Sequence, residues 1–402
     1  MNNPSERLIT RDVALVMVAT FCFMASNMLA TPLMAGFSES LGASGAMMGV
    51  IAGMMNVVSL FCRPVAGNLA DRASKRLLVG IGSALYLVSS VWYALATNTA
   101  SLVVARMVNG VGFACCSVCL ATWMSLLLPI RHMGAGMGLY GTMNALAMAI
   151  GPAIGIKAQQ LIGYRHAFLI STAMAVLMVV AVLFVKNGGR PVSAGGAVAA
   201  TGTSAAAPRR LSIRSIVEPR VVPLSLVFML FAIPYFATQS FLVTYAGARR
   251  LSVEVSLFFP CYAIALLIMR IAFRDWFDRK SFRFFFALCS AFMLGTLLCF
   301  DVMTNNAVLV CGAILMAASY GIMSSVTQAQ AVIIAGKQRS GIANSTYYAG
   351  IDLGMSLGPI IGGLLYGNVP VQWFYPLFML AMPAAWLLYA VTASYVHGGA
   401  RR

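Results

Sequence analysis

Long apolar runs constrain this chain more than any other feature. They lie near 13–36, 43–66, 77–97, 100–124, 134–156 and 165–185, then near 222–244, 253–273, 284–303, 306–335, 341–367 and 372–393. Each holds the roughly 20 residues that an α-helix needs to cross a bilayer core at about 1.5 Å per residue. Of 402 residues, 60% are hydrophobic and only 9% charged, against about 25% charged in a soluble domain. Water could not solvate such a chain as a compact globule, so lipid must be the solvent for most of it. Six plus six runs predict an all-α membrane protein of 12 transmembrane helices.

The two sets are copies of one plan. Arg63, Asp71, Arg72 and Arg76 recur 207 residues later as Arg270, Asp278, Arg279 and Arg283. Gly151-Pro152-Ala153-Ile154-Gly155 recurs at the same spacing as Gly358-Pro359-Ile360-Ile361-Gly362. Charge is scarce here, so four charged positions in register indicate an internal repeat, the pattern of transporters built from duplicated bundles. Between the copies, residues 187–208 are rich in Gly, Ala, Ser and Thr and lack periodicity, which reads as a flexible linker. The expected organisation is a six-helix bundle over 1–186, a cytoplasmic linker over 187–220 and a second six-helix bundle over 221–402.

The net charge is +17, from 27 basic and 10 acidic residues. The basic residues sit between apolar runs, so the charge reads as the positive-inside bias of a membrane protein and not as a nucleic-acid surface. Arg72, Lys75, Arg76, Arg131, Lys186, Arg190, Arg209, Arg210, Arg214, Arg279, Lys280, Arg283, Lys337 and Arg339 gather on one side; Lys157, Arg165, Arg249 and Arg250 fall on the other. This predicts a multi-pass protein of the cell membrane with both termini cytoplasmic. The first run is too long for a signal-peptide core. All nine Cys lie in apolar segments, and His132, His166 and His397 lie apart at loops or ends. No metal site, cofactor, phosphate loop or nucleophile–base pair is expected, and hence no enzyme.

Six plus six helices, a central linker and the stretch Gly67–Arg76 together resemble the major facilitator superfamily. The stretch resembles that family's signature between helices 2 and 3, Gly-x-x-x-Asp-Arg-x-Gly-Arg/Lys-Arg/Lys, through Gly67, Asp71, Arg72, Lys75 and Arg76, with Ser74 where Gly is usual. The resemblance implies a gating role for Gly67, Asp71, Arg72 and Arg76, and for Asp278, Arg279 and Arg283 in the echo. A carboxylate at the membrane edge can meet the positive end of a neighbouring helix. A charge cluster that only anchors the loop is the alternative.

Gly151, Pro152 and Gly155, and the fuller copy Gly354, Gly358, Pro359 and Gly362, resemble the Gly-x-x-x-Gly-Pro-x-x-Gly motif of the drug:proton antiporter branch. Pro bends a helix and small residues admit a close neighbour, so these helices are expected to pack tightly where the halves meet. Ordinary small-residue packing is the alternative. Arg106-Met107-Val108-Asn109-Gly110-Val111-Gly112 resembles the family's helix-4 motif, Arg-x-x-x-Gly-x-Gly. By that resemblance Arg106 faces the central cavity and senses the charge of an acid or holds an anionic substrate; otherwise it snorkels outward.

Asp352 is the one carboxylate well inside a run, and an ionisable group in lipid is a functional candidate. Asp352 and Arg106 are therefore the expected proton-coupling pair. The alternative for Asp352 is a structural position facing helix 2. Helices 1, 4, 7 and 10 line the pathway in the family, which implies Asn27, Arg106, Asn109, Tyr235, Gln239, Tyr320, Gln328 and Gln330 as substrate-binding residues. The implied function is proton-coupled export of small amphipathic organic molecules by alternating access, by a monomer whose partners are its substrate, protons and lipid. An uptake carrier for an organic anion, or a non-transporting membrane sensor, are the other readings.

Overall fold

The computed structural model describes residues 9–129, 133–189, 217–272, 276, 280–335 and 340–397. The described residues are helical almost throughout. α1 (Arg11–Ala30) and α2 (Met34–Ser40) are joined by a 3-10 turn, Thr31–Leu33, where Pro32 withholds a backbone donor. α3 (Gly45–Arg72), α4 (Lys75–Leu95), α5 (Thr99–Leu127) and α6 (Met133–Phe184) follow. Beyond the linker come α7 (Val222–Ala248), α8 (Phe258–Ala272), α9 (Phe282–Asp301), α10 (Asn306–Met316), α11 (Ile322–Ala335), α12 (Ser340–Asn368), α13 (Phe374–Met379) and α14 (Ala381–His397). Among the described residues ten stretches are long and apolar enough to cross a membrane, and Val255–Arg270 is a shorter apolar helix.

The runs expected at 134–156 and 165–185 form one helical stretch, α6. Its apolar part, Leu139–Phe184, has 46 residues, about 69 Å at 1.5 Å per residue and twice a bilayer core. Gly163 breaks it, with φ 80° and ψ 170°, a conformation open to a residue without a Cβ. The run at 306–335 holds α10 and α11 with a π-helical turn, Ala317–Gly321, between them.

Internal duplication appears in the capping groups. The Asn98 side chain accepts from Ser101 N at 2.8 Å to start α5, and Asn305, 207 residues on, accepts from Val308 N at 3.1 Å to start α10. It appears again in the glycines. A Cβ on Gly151 would lie 3.1 Å from Ala25 O and 3.2 Å from Leu29 N of α1. One on Gly358 would lie 2.7 Å from Ile233 O and 3.0 Å from Ala237 N of α7. Both glycines rest on a carbonyl and the amide four residues later.

These contacts divide one expectation. The α6 Gly-Pro motif packs on the first helix of its own set, whereas the α12 motif packs by its glycines on α7 of its own set and by the Ser356 and Pro359 carbonyls on α3 of the other. Gly155 lies against Leu29 of α1, Gly354 against Ala232 of α7, and Gly362 against Phe241 of α7. The long seam between the sets is formed by α3 and α12, where glycines of α3 meet carbonyls of the α12 motif and the glycines beyond it. A Cβ on Gly53 would lie 2.7 Å from Ser356 O, and one on Gly367 would lie 2.9 Å from Gly45 Cα. Side chains would hold these backbones apart, and small residues let them touch.

Candidate functional site at the seam of α3 and α12

The near face is the one on which α1 begins, and the far face is its opposite. α3 and α12 run antiparallel and close against one another at the far face, through Gly45, Gly49, Gly363 and Gly367. Midway, Asn56 Nδ2 donates to Met355 O at 3.2 Å. Nearer still, Arg63 Nη2 lies 3.3 Å from Asp352 Oδ1. Arg63 Nε also donates to Ser59 Oγ at 3.4 Å, and its guanidinium carbon stands 5.9 Å from the centre of the Phe113 ring. Toward the near face the helices part around a cavity of about 520 Å³, lined by Arg63, Asp352, Leu60, Leu226, Tyr348 and Leu353 among others.

Asp352 thus sits where the structural alternative places it, facing α3, yet it also carries an ion pair to the other set. Its partner is Arg63 and not Arg106. Arg106 is 2% exposed, and its guanidinium donates to two consecutive α3 carbonyls, Ile51 O at 3.0 Å and Ala52 O at 2.6 Å. Gly110, one turn on, brings α5 against Met55 and Val58 of α3. Arg106 therefore binds α3 backbone within the first set and neither snorkels outward nor meets Asp352. The physical reason is local: a buried guanidinium takes the nearest carbonyls it can satisfy.

Of the other expected binding residues, three come together. Tyr235 and Tyr320 stack at 3.9 Å between ring centres, 10° from parallel, and Gln239 Nε2 donates to the Tyr235 hydroxyl at 2.7 Å. Tyr320 stands on the π-helical turn, a feature common at functional sites. Phe228 and Tyr347 extend the stack, and Tyr320 lies within electrostatic reach of Asp352. Asn27 is buried with Nδ2 lacking a hydrogen-bond partner. Asn109 instead donates to Ser89 of α4, inside its own set. Gln328 donates to Asn344 and Tyr348 beside the cavity, at 3.3 and 3.4 Å, and Gln330 is half-buried on the same helix.

The sequence profile of the Major Facilitator Superfamily matches residues 16–345. The chain belongs to this superfamily. It is therefore a multi-pass membrane protein of a superfamily of transporters. This facilitator is 22% identical over 157 residues to Multidrug resistance protein 2 of Bacillus subtilis, covering 39% of each chain. It is 22% identical over 149 residues to the quinolone resistance protein NorA of Staphylococcus aureus, covering 37% of this chain and 38% of that one. An uncharacterized MFS-type transporter of Methanocaldococcus jannaschii is 22% identical over 169 residues, 42% of this chain and 44% of the relative. The chain spans less than half the length of these curated relatives. Its fold is shared with a mutant of the nucleoside transporter NupG, at TM-score 0.76 and 13% identity over 95% of this chain and 100% of that one. It is also shared with a mutant of the peptide transporter POT, at 0.78 and 12% over 96% and 95%.

The facilitator's signature loop is tied within its own set. Ser74 Oγ donates to Gly188 O at 2.7 Å, and Arg76 Nη2 donates to Leu183 O at 2.8 Å. Asp12 accepts from the amides of Lys186 and Asn187, so residues 185–189 lie along the near face of the first set. Among the described residues, nothing lies within 4 Å of a Cβ placed on Gly67. The backbone of Asp71 and Arg72 ends α3; their side chains, and the whole of Asp278 and Arg279, lie outside the described residues. Arg283 is exposed on α9.

Contacts at the far face join the sets. Lys157 Nζ donates to Glu254 Oε2 at 2.6 Å, linking α6 to the segment before α8, and the Tyr366 hydroxyl donates to Glu39 at 3.0 Å. The Lys157 ammonium and the Ser256 hydroxyl, in that order, hold the Glu254 carboxyl below the usual carboxylate range.

Sequence reasoning marked Arg63 as a repeat position and assigned it no role. The available signal was an arginine inside an apolar run, in an echoed position. The partner choice was invisible because it depends on which helix lies opposite.

Proposed function

We propose that this facilitator is a proton-coupled secondary transporter of small amphipathic organic molecules that works by alternating access, with export as its direction. The proposed architecture is twelve spans in two six-helix bundles, 1–186 and 221–402, with the linker at 187–220. The stretch broken at Gly163 supplies two spans, and Val255–Arg270 supplies the remaining one. The near face is cytoplasmic, since it carries most of the basic residues. The far-face contacts are made while a cavity stands open toward the near face, which corresponds to an inward-facing state.

One observation carries the reading: an acid, Asp352, forms an ion pair across the seam at the wall of a cavity. The frame repeats Arg63 as Arg270 and Gly151 as Gly358, but the position 207 before Asp352 is Ala145. The fold therefore does not require the acid, which leaves a functional role to explain it. Protonating Asp352 dissolves the pair and loosens the seam on its near half, the change a rocking motion needs. Export is supported by the names of the resistance-protein relatives and by the Gly-Pro motif. The test is dye accumulation in inverted membrane vesicles under an imposed pH gradient. Gradient-driven uptake by the native protein, and its loss in Asp352→Asn, is expected; an unchanged response in that variant would refute the role of Asp352.

A second reading, a carrier for an organic anion, is favoured by one observation. The side chain of Arg63 is 28% exposed and that of Asp352 only 8%, so the cavity offers a cation.

A further inference from the structure

We infer that the cavity beside the seam binds an amphipathic organic anion, whose carboxylate or sulfonate takes the place of Asp352 on Arg63. The inference rests on the anion reading above and names the site and ligand class for it.

Four observations point there. The cavity, about 520 Å³, falls in the range of about 300–1,000 Å³ usual for small-molecule sites. Its walls are largely apolar, from Leu60, Val118, Val222, Leu226 and Leu353, and among the described residues its charged lining groups are Arg63 and Asp352. Arg63 is lightly held: a single 3.3 Å contact to one carboxylate oxygen and a 3.4 Å bond to Ser59 engage two of its five donors. A guanidinium with open donors at an apolar wall suits a bidentate anion carrying a hydrophobic body. Finally, the other in-span arginine of the first set, Arg106, is committed to Ile51 O and Ala52 O.

Exchange at Arg63 has a definite proton balance. When the ligand's anionic oxygens bind the guanidinium, Asp352 loses its countercharge. Among the described residues, the other titratable groups around the cavity are then the Tyr320 and Tyr348 phenols and the buried Glu218, whose backbone amide donates to Thr346 of the wall, Arg63 having turned to the ligand. A carboxylate left among apolar side chains takes a proton from near-face water onto Oδ1. Anion and proton thus favour each other's binding, and a carrier using this site moves them together. Proton-driven export instead needs a substrate that binds without displacing Asp352, one that is neutral or cationic.

The test uses purified full-length protein in a nonionic detergent and three fluorescent probes: 11-(dansylamino)undecanoate, its methyl ester and a trimethylammonium analogue of the same chain length. The carboxylate is expected to bind about tenfold more tightly than the ester, the worth of one charge-assisted hydrogen-bonding contact. Arg63→Gln should bind both alike, at the ester's affinity, and Arg63→Lys should keep part of the preference. Asp352→Asn, which leaves Arg63 to the ligand, should bind the carboxylate more tightly than the native protein. In weak buffer with a pH indicator, the native protein should take up protons as the carboxylate binds, and Asp352→Asn should not. Equal affinity for carboxylate and ester in the native protein, which needs no variant to fold, overturns the inference and leaves proton-coupled export standing. Tightest binding of the trimethylammonium probe also overturns it. A carboxylate preference that persists in Arg63→Gln places the anion elsewhere and overturns it too. Failure of the vesicle experiment alone, with these binding results intact, strikes the export reading and not this one.

Discussion

Arg63 of α3 and Asp352 of α12 meet at 3.3 Å across the seam between the two sets of helices, where the glycine contacts end and the cavity begins. Toward the far face the two helices are held by backbone contact; at this point they are held by charge. Everything expected of the site depends on that change from permanent to titratable attachment.

Removing one partner should cost more than removing both. Arg63→Gln leaves Asp352 without its cation in an apolar wall, and a loss of about 1–3 kcal/mol is expected for an unsatisfied buried polar group. Adding Asp352→Asn should recover most of it, because no charge remains to be compensated. Thermal unfolding of the two single variants and the double variant in detergent measures this. Additive losses would show that the two residues do not interact.

The glycine seam should set the resting conformation. In Gly49→Ala, a methyl group would meet Pro359 O and the Gly363 backbone of α12, which cannot move aside as a side chain can. The far face should then open. Thr244, buried beside Gly36 and Tyr164 in the far half, is a reporter. In a background without the native cysteines, Thr244→Cys should resist an impermeant maleimide applied from the far side, and Gly49→Ala should raise its labelling severalfold. Equal labelling in both proteins would remove the seam from control of the far face.

The far-face latch should be insensitive to pH through the neutral range. Lys157 lowers the Glu254 pKa. A depressed carboxyl contributes its stabilisation above the unfolded value, about 4.3 for Glu, and loses it as pH falls through the folded value. Labelling of Thr244→Cys should therefore stay constant from neutral pH down to the ordinary carboxylate range and rise only below it. Glu254→Gln should raise it at neutral pH.

Arg106 should behave as a positioning residue. Lys carries the same charge but cannot bridge two consecutive carbonyls with a planar fork. Arg106→Lys is expected to destabilise the protein by about 1–3 kcal/mol through the carbonyls it leaves under-satisfied. It should lower the rate of transport without moving its dependence on the pH gradient. A displaced pH dependence in this variant would return Arg106 to the proton pathway.

Much of this protein was legible without coordinates, for stated physical reasons. Apolar run length is a one-dimensional property, and so are the 207-residue echoes that joined Arg63 to Arg270 and Gly151 to Gly358. The family signature at Gly67–Arg76 was readable for the same reason, and so was the isolation of Asp352 within a lipid-length run. Periodicity and charge scarcity alone make an in-span acid notable.

What the chain wrote only in three dimensions was who meets whom. A side chain on a helix reaches only the neighbour its face presents, and α12 presents Asp352 to α3 and Gly358 to α7. That choice gave Asp352 to Arg63, turned Arg106 onto the carbonyls of α3, and stacked Tyr235 on Tyr320. It also set Gly45, Gly49 and Gly53 of α3 against Ser356, Pro359, Gly363 and Gly367 of α12, and left the α6 motif on α1. The deciding physics is backbone approach: glycines on both helices let α3 and α12 touch, and that contact brings an arginine and an acid from opposite halves of the chain within reach.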